Sequence, residues 1–217
     1  TAIRLFHAHC GSISVIDEVQ TVPSKMLSLF SLAVNFLSEI CGATVVLCSA
    51  TQPCAEEIEH PMHGPIFDVI PYNPTLWEVF RRTDIKSMGT MPLEQISDFV
   101  LKILDSVNSL LIVCNKKSQA ERLYSLLKGG GFTLFSLSAA MCVAHRRDTL
   151  DRLRSSLEQN GRKTVCVSTQ VIESGVDISF ACVIRLSAGM DSVIQAAGRC
   201  NRSGEAGPRV LDPVYQV

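Results

Sequence analysis

The sequence predicts an α/β protein built on parallel sheets, with two α/β units of which the first is partial. Short apolar stretches alternate regularly with amphipathic ones, a pattern typical of parallel strands covered by helices on both faces. A region with six prolines, from Pro53 to Pro92, interrupts this alternation, which then restarts. Hydrophobic residues make up 47% of the 217 residues and charged residues only 19%, which is enough apolar surface for a substantial core.

The first unit is predicted to contain two strands joined by a helix. Residues 13–16 and 44–48 are short and apolar, as expected for strands, and residues 25–40 carry apolar side chains at helical spacing. A small-residue turn, Ser49-Ala-Thr51, closes the second strand. We place this unit and the connection that follows it at residues 1–85.

The second unit, residues 86–217, is predicted to alternate helices with strands. We expect helices over 93–104, 118–127, 146–157 and 192–199, and strands over 110–114, 132–137, 164–167 and 182–186. Ligands of parallel α/β sheets bind at the carboxyl ends of the strands. The residues that follow each strand are therefore the candidate site.

Charge and cysteine usage narrow the class of protein. Residues 1–104 hold 6 Lys+Arg against 11 Asp+Glu, and residues 105–217 hold 14 against 10, so the basic second half favours contact with phosphates. The nine cysteines include no Cys-x-x-Cys pair, which favours buried thiols over zinc or disulfides. No apolar run is long enough to span a membrane, and no signal-peptide pattern is present. We expect a soluble cytoplasmic protein.

Two polar groups follow the strands of the first unit. Asp17 is placed to hold Mg²⁺, and the adjacent Glu18 is placed to polarise an attacking water, although such a pair is also common at helix N-termini. Ser49 and Thr51 are able to link a carboxylate to a neighbouring domain through hydrogen bonds, or to form an ordinary turn.

Two further groups follow strands of the second unit. Thr169, Gly175 and Asp177 suit contact with phosphate or ribose oxygens, or a loop with a cap and a turn glycine. Further on, Gln195 precedes Arg199 and Arg202, which are three residues apart and are expected to share one helical face, with both guanidinium groups directed into one cleft. Their guanidinium groups suit a phosphoryl group that gains charge, or the solvated end of a helix.

The order of these elements resembles that of superfamily-2 helicases. Asp17-Glu-Val-Gln20, Ser49-Ala-Thr51, the segment 168–177 and the segment 195–202 resemble motifs II, III, V and VI of that superfamily, and Ile112-Val-Cys-Asn115 falls at its fourth-motif strand. The segments 137–146 and 198–205 are similar to the CRISPR-associated helicase–nuclease of type I systems. The resemblance implies RecA-like parallel sheets: a partial first RecA-like domain, with motifs II and III, and a largely complete second one.

The resemblance also implies an activity and a set of roles. The cofactors would be ATP and Mg²⁺, and the partners single-stranded DNA and a DNA-bound CRISPR surveillance complex. The resemblance implies the following roles: Asp17 binds Mg²⁺; Glu18 is the hydrolytic base; Ser49 and Thr51 couple hydrolysis to movement; Thr169, Gly175 and Asp177 touch nucleotide or DNA; Gln195, Arg199 and Arg202 act on the nucleotide; His145 and Arg146 lie near the nucleic acid.

Two features of the family are missing from the sequence. It contains no Gly-x-x-x-x-Gly-Lys-Ser/Thr loop to cradle phosphates, and no cluster of His and Asp typical of an HD nuclease. We therefore expect a fragment that is inactive alone. The alternatives are another superfamily-2 RNA or DNA helicase, and a noncatalytic module that binds nucleic acid or protein through its basic half.

Overall fold

The computed structural model describes residues 8–49, 59–71, 73–159, 161–172, 176–202 and 212–217. The chain divides into two compact units, residues 1–72 and 73–217. The division expected after residue 85 falls inside the strand Thr83–Ser87, which belongs to the second unit. Among the described helices, none is both long and apolar enough to cross a membrane.

The first unit contains two parallel strands, β1 (Ile13–Ile16) and β2 (Thr44–Leu47), in register from Ile13 opposite Thr44. The connection between them was predicted as one helix. It contains two 3₁₀ turns, at Val19–Thr21 and Ser24–Met26, then continues as α1 (Leu27–Asn35) and ends as a π-helical turn at Phe36–Ile40. This crossover returns the chain to pair in parallel with β1, as parallel strands require.

The described residues of the second unit form a sheet of six strands in the order β3-β8-β7-β4-β6-β5, and all neighbouring strands in it pair in parallel. Its strands are β3 (Thr83–Ser87), β4 (Ser109–Cys114), β5 (Thr133–Leu137), β6 (Thr164–Thr169), β7 (Cys182–Arg185) and β8 (Asp212–Gln216). Its helices are α2 (Pro74–Phe80), α3 (Leu93–Ile103), α4 (Lys117–Leu127), α5 (Val143–Glu158) and α6 (Met190–Ala197). The predicted α/β class with parallel sheets is confirmed.

Two apolar cores cover the two faces of this sheet. Helices α3 and α4 pack on one face, against alternate residues of β4 such as Leu110 and Ile112. Helices α5 and α6 contribute to the core on the opposite face, with Leu111 and Val113. Because β4 is buried on both faces, it reads as a continuous apolar run in the sequence.

Three elements of the second unit were not predicted. Helix α2 and strand β3 lie in the proline-rich stretch that we expected to be an irregular connection. Strand β8 comes from the end of the sequence and pairs with β3 and β7. The predicted end of α4 agrees with the structure: the helix ends at Leu127, before Gly129, whose φ of 91° suits a residue without a side chain.

Candidate functional site

The acidic pair lies directly after β1, at the carboxyl end of that strand. Glu18 adopts a left-handed backbone conformation, with φ 56° and ψ 41°, which is uncommon for a residue that carries a side chain. Its carbonyl oxygen accepts hydrogen bonds from the backbone N–H and the hydroxyl of Thr21, at 2.9 and 2.7 Å. Its own N–H donates to Asp17 Oδ1 at 2.9 Å. This turn leaves both carboxylates exposed at the surface.

A glutamine that was not predicted as a site residue links this pair to the end of β2. The side-chain amide of Gln20 donates to Glu18 Oε2, and its carbonyl oxygen accepts a hydrogen bond from Ser49 Oγ. Gln20 stands two residues after Glu18 at the carboxyl edge of the strands, a position that marks it as a candidate. Thr51, which was predicted with Ser49, lies outside the described residues.

The acidic pair fits the way in which proteins hold Mg²⁺. Magnesium is usually bound by one or two carboxylates, together with water and the phosphates of its substrate. Asp17 Oδ1 accepts the N–H of Glu18, and no described residue donates a hydrogen bond to Asp17 Oδ2. Within the described ranges, no group of three or more His, Cys, Asp or Glu residues forms a complete protein cage for a metal.

In the second unit, Thr169 ends β6 at the carboxyl edge of the sheet. Its hydroxyl oxygen is buried and has no hydrogen-bond partner among the described residues. Its carbonyl oxygen accepts the hydroxyl of Ser168 at 2.7 Å. A buried hydroxyl without a partner is unusual in a native structure, and it marks this strand end as a place where a ligand oxygen or a water completes the site.

The first turns of α5 carry positive charge that no described carboxylate neutralises. Arg146 and Arg147 have no ion pair with any described residue, and neither does the exposed His145 that precedes them. Further along the same helix the arginines are paired: Arg152 with Asp148 at 3.8 Å, and Arg154 with Asp151 at 3.1 Å. The uncompensated charge therefore lies at the end of α5 nearest the carboxyl edge of the sheet.

The predicted helical face shared by Arg199 and Arg202 is wrong, because α6 ends at Ala197. Beyond the helix, the backbone pairs with a distant segment instead: Cys200 forms a parallel bridge with Phe180, supported by hydrogen bonds of 2.9 and 3.0 Å. Asn201 then takes a left-handed conformation, with φ 47°. The two guanidinium groups end in different surroundings as a result.

Arg199 is buried, with 5% of its surface exposed. Its Nε donates to the carbonyl oxygen of Ile172 at 3.0 Å, which ties it to the 3₁₀ turn that follows β6. Gln195 is half-buried on α6. Gly175, also predicted here, lies outside the described residues. The structure thus joins Arg199 to the segment that begins at Thr169.

Arg202 is held at the surface by three contacts. Its Nε pairs with Asp177 Oδ1 at 3.0 Å, which brings two predicted site residues together. Its backbone N–H donates to Ser179 Oγ at 3.0 Å, and its carbonyl oxygen accepts a hydrogen bond from Arg82 Nη1. The side chain keeps 42% of its surface exposed, and its contact with Asp177 is made by Nε.

A buried arginine that sequence reasoning missed joins the ends of β4 and β7. Arg185 is fully buried, and its Nη1 donates to Asn115 Oδ1 at 2.7 Å and to the carbonyl oxygens of Leu186 and Val113 at 3.0 and 3.3 Å. The amide of Asn115 in turn donates to the carbonyl oxygen of Ser187 at 2.6 Å. The signal in the sequence was a charged residue inside an otherwise apolar strand.

Two buried cysteines beside this network remain protonated thiols. Burial raises the pKa of Cys114 to about 12, against a smaller opposing effect of the Arg185 charge. Burial also raises the pKa of Cys166 above its ordinary value. Since a thiol must ionise to act as a nucleophile or a metal ligand, these two residues serve as small apolar packing groups.

Comparison with known proteins gives consistent matches. Residues 106–205 match the family model described as CRISPR-associated nuclease/helicase Cas3, C-terminal. The CRISPR-associated nuclease/helicase Cas3 of Methanothermobacter thermautotrophicus is 26% identical over 207 residues, which cover 92% of this chain and 25% of the relative. The chain therefore spans about a quarter of the length of that relative.

Solved structures share the fold. The crystal structure of T. fusca Cas3-ATP matches 99% of this chain and 30% of that chain, with a TM-score of 0.70 and 19% identity. A chain in a CRISPR RNA-guided surveillance complex, pre-nicking, matches 93% of this chain and 30% of its own length, with a TM-score of 0.66 and 18% identity. The chain is thus similar in sequence to Cas3-type helicases and shares the fold of solved Cas3 structures.

Proposed function

We propose that this chain is the motor part of an ATP-dependent translocase that moves on single-stranded DNA in CRISPR interference. The observation that carries the proposal is the hydrogen-bonded series Glu18–Gln20–Ser49, which connects an exposed carboxylate to the turn after β2. Through these hydrogen bonds, a rearrangement of Glu18 during nucleotide hydrolysis would shift the turn after β2, which leads out of the first unit. The match to a Cas3 structure determined with ATP supports the choice of nucleotide.

The nucleotide side of the proposal assigns roles to exposed or half-buried polar groups. Asp17 would hold Mg²⁺ through Oδ2, to which no described residue donates a hydrogen bond, and the ion would neutralise phosphate charge. Glu18, oriented by Gln20, takes the proton of the attacking water. In the second unit, Gln195 contacts the nucleotide and Arg202 meets its phosphates; the buried Arg199 orients this segment and contributes its charge.

The nucleic-acid side rests on the carboxyl edge of the larger sheet. Arg146, at the start of α5, contacts DNA phosphates, since no described carboxylate neutralises its charge, and the exposed His145 beside it contacts the same nucleic acid. The hydroxyl of Thr169 completes its hydrogen bonding with a ligand oxygen. Asp177 holds Arg202 in place beside this path. In the same proposal Thr51 couples hydrolysis to movement, and Gly175 contacts nucleotide or DNA.

The proposed setting is cytoplasmic, in contact with a DNA-bound surveillance complex. The match to a chain of such a complex supports this partner. The sequence contains no phosphate-binding Gly-x-x-x-x-Gly-Lys loop, so we expect the 217-residue chain alone to hydrolyse ATP negligibly.

Binding of fluorescent oligothymidine by the purified chain tests the proposal. We expect the affinity to fall with rising salt, with a log–log slope of about −2, as for some three neutralised phosphates of a single strand. An oligouridine RNA of the same length should bind more weakly. Tighter binding to RNA would support an RNA helicase instead, and robust DNA-stimulated ATP turnover by the chain alone would contradict its expected inactivity.

A further inference from the structure

The open edge of the six-stranded sheet is the feature with the clearest unassigned binding capacity. Strand β5 is last in the strand order and pairs only with β6 among the described strands. The N–H of Thr133 donates to the carbonyl oxygen of Lys163 at 2.9 Å, so this residue faces β6. Because backbone groups alternate along a parallel strand, those of Leu134 and Ser136 face the open side.

The outward N–H and C=O groups of Leu134 and Ser136 are spaced so that a further β-strand can pair with them. In the described part of the chain, no hydrogen bond joins the backbone N–H of Leu134 or Ser136 to another residue. The two residues lie about 6.6 Å apart along the strand, the repeat with which an added strand pairs. Unpaired edges of this kind act as templates for a further strand.

Two helices turn this edge into the floor of a groove. Helix α4 packs on one face of the sheet and α5 on the other, so the edge of β5 lies between them. A cavity of about 570 Å³ is lined by both helices and by the segment 134–136. A second cavity of about 380 Å³ continues along α5 and shares Phe135 and Arg152 with the first. Because the edge is recessed between two helices, the groove has room for a single extended peptide.

The charges in the groove favour a peptide over nucleic acid. Lys117 pairs with Glu121 at 3.4 Å, and Arg152 pairs with Asp148 at 3.8 Å, so most of the positive charge at this edge is already neutralised. Channels for single-stranded nucleic acid depend on positive charge that is free to meet phosphates. At the far end of the groove, Arg162 has no ion pair with a described residue. It suits a carboxylate of the occupant.

We propose that the open edge of β5, in the groove between α4 and α5, accepts an extended acidic peptide as an added β-strand. Backbone hydrogen bonds to Leu134 and Ser136 provide the affinity, and the apolar wall formed by Tyr124 and Met141 receives alternate side chains. A carboxylate of the peptide pairs with Arg162. This surface goes beyond the proposed motor function, because it recruits a protein segment; it borders the proposed DNA path at His145, which lines the first cavity.

The test uses the full chain and a capped hexapeptide of alternating valine and threonine that ends in two aspartates. Binding is followed by NMR, through amide shifts and hydrogen exchange of Leu134 and Ser136. Ser136→Pro removes one outward N–H without removing a bond to β6, a substitution that edge strands tolerate. We expect it to weaken binding about tenfold, the equivalent of about 1.4 kcal/mol, whereas Ser136→Ala leaves binding unchanged.

A second arm leaves the protein unaltered. The same peptide, N-methylated at alternate residues, cannot donate hydrogen bonds to the edge and should lose binding. Protection of the two amides, together with both losses, supports the proposal. The proposal is overturned if the peptide does not bind at millimolar concentration, or if Ser136→Pro binds it as tightly as the wild type. It is also overturned if the chain dimerises through β5 as its concentration rises, or if oligothymidine displaces the peptide from the groove.

Discussion

At the scale of single residues, Arg185 is the side chain whose removal we expect to affect the stability of the fold most clearly. It is a charged side chain without surface exposure, in the middle of a parallel sheet. Its Nη1 serves three acceptors, two of them backbone carbonyls at the ends of β4 and β7. A buried charge of this kind is costly to place, and its removal takes a donor from the buried carbonyl of Leu186.

Arg185→Ala should lower the free energy of unfolding by about 2–5 kcal/mol, since it leaves a cavity in a fully buried site and removes a donor to the buried carbonyl of Leu186. The matched control is Arg154→Ala, which removes an exposed arginine paired with Asp151 at 3.1 Å and should cost less than about 1 kcal/mol. Urea titration of both variants measures the difference. Equal losses in the two variants would mean that the network around Asn115 does not depend on the guanidinium.

Residue-level prediction worked best where chemistry is local. The position of Asp17 and Glu18 after a strand followed from a short apolar run and two carboxylates, and the structure places them at that strand end. The link through Gln20 depends on Ser49, twenty-nine residues away, so no local pattern contains it. The burial of Arg199 likewise depends on the carbonyl of Ile172, which the sequence alone does not bring near.

At the scale of elements, helix α5 separates its positive charges into two groups. The arginines of its first turns have no carboxylate partner among the described residues, whereas Arg152 and Arg154 are paired. Its start lies at the carboxyl edge of the sheet, where β5 ends at Leu137. If nucleic acid crosses this edge, only the first group contributes to its binding.

Arg146→Ala should therefore weaken oligothymidine binding about threefold to tenfold and reduce the salt slope by about 0.7, the effect of one lost phosphate contact on a single strand. Arg154→Ala is the matched control on the same helix, and it should leave both the affinity and the slope unchanged because its charge is already neutralised. Binding isotherms at several salt concentrations give both quantities. Equal effects of the two variants would argue for a diffuse electrostatic surface.

The helices and strands differ in how well the nearby sequence predicts them. Strand β4 was predicted because both of its faces are buried, which makes it a continuous apolar run. Strand β3 contains the polar sequence Thr-Asp-Ile-Lys-Ser, as an edge strand can, and gives no such signal. Strand β8 pairs with residues more than a hundred positions earlier, so its place depends on long-range contacts. The end of α6 was misjudged for the same reason, since Cys200 pairs with Phe180.

At the scale of the whole molecule, the two units differ in how completely they bury their strands. In the second unit, every residue of β4 from Leu110 to Cys114 is fully buried between two apolar cores. In the first unit, β1 and β2 form a two-stranded sheet, and Ile13 and Val15 on β1 are 75% and 65% exposed. A two-stranded sheet with an exposed apolar face is only marginally stable against local unfolding.

The first unit should therefore open at a lower free energy than the second. We expect amides of β1 and β2 to exchange hydrogen at least about a hundredfold faster than those of β4, β6 and β7, because local opening requires less buried apolar surface to be exposed. Hydrogen-exchange mass spectrometry of the native chain measures this directly. Low urea concentrations should accelerate exchange in the second unit more steeply, since its opening exposes more surface. Equal protection of β1 and β4 would show instead that the two units unfold as one cooperative structure, and their different burial would then have no effect on stability.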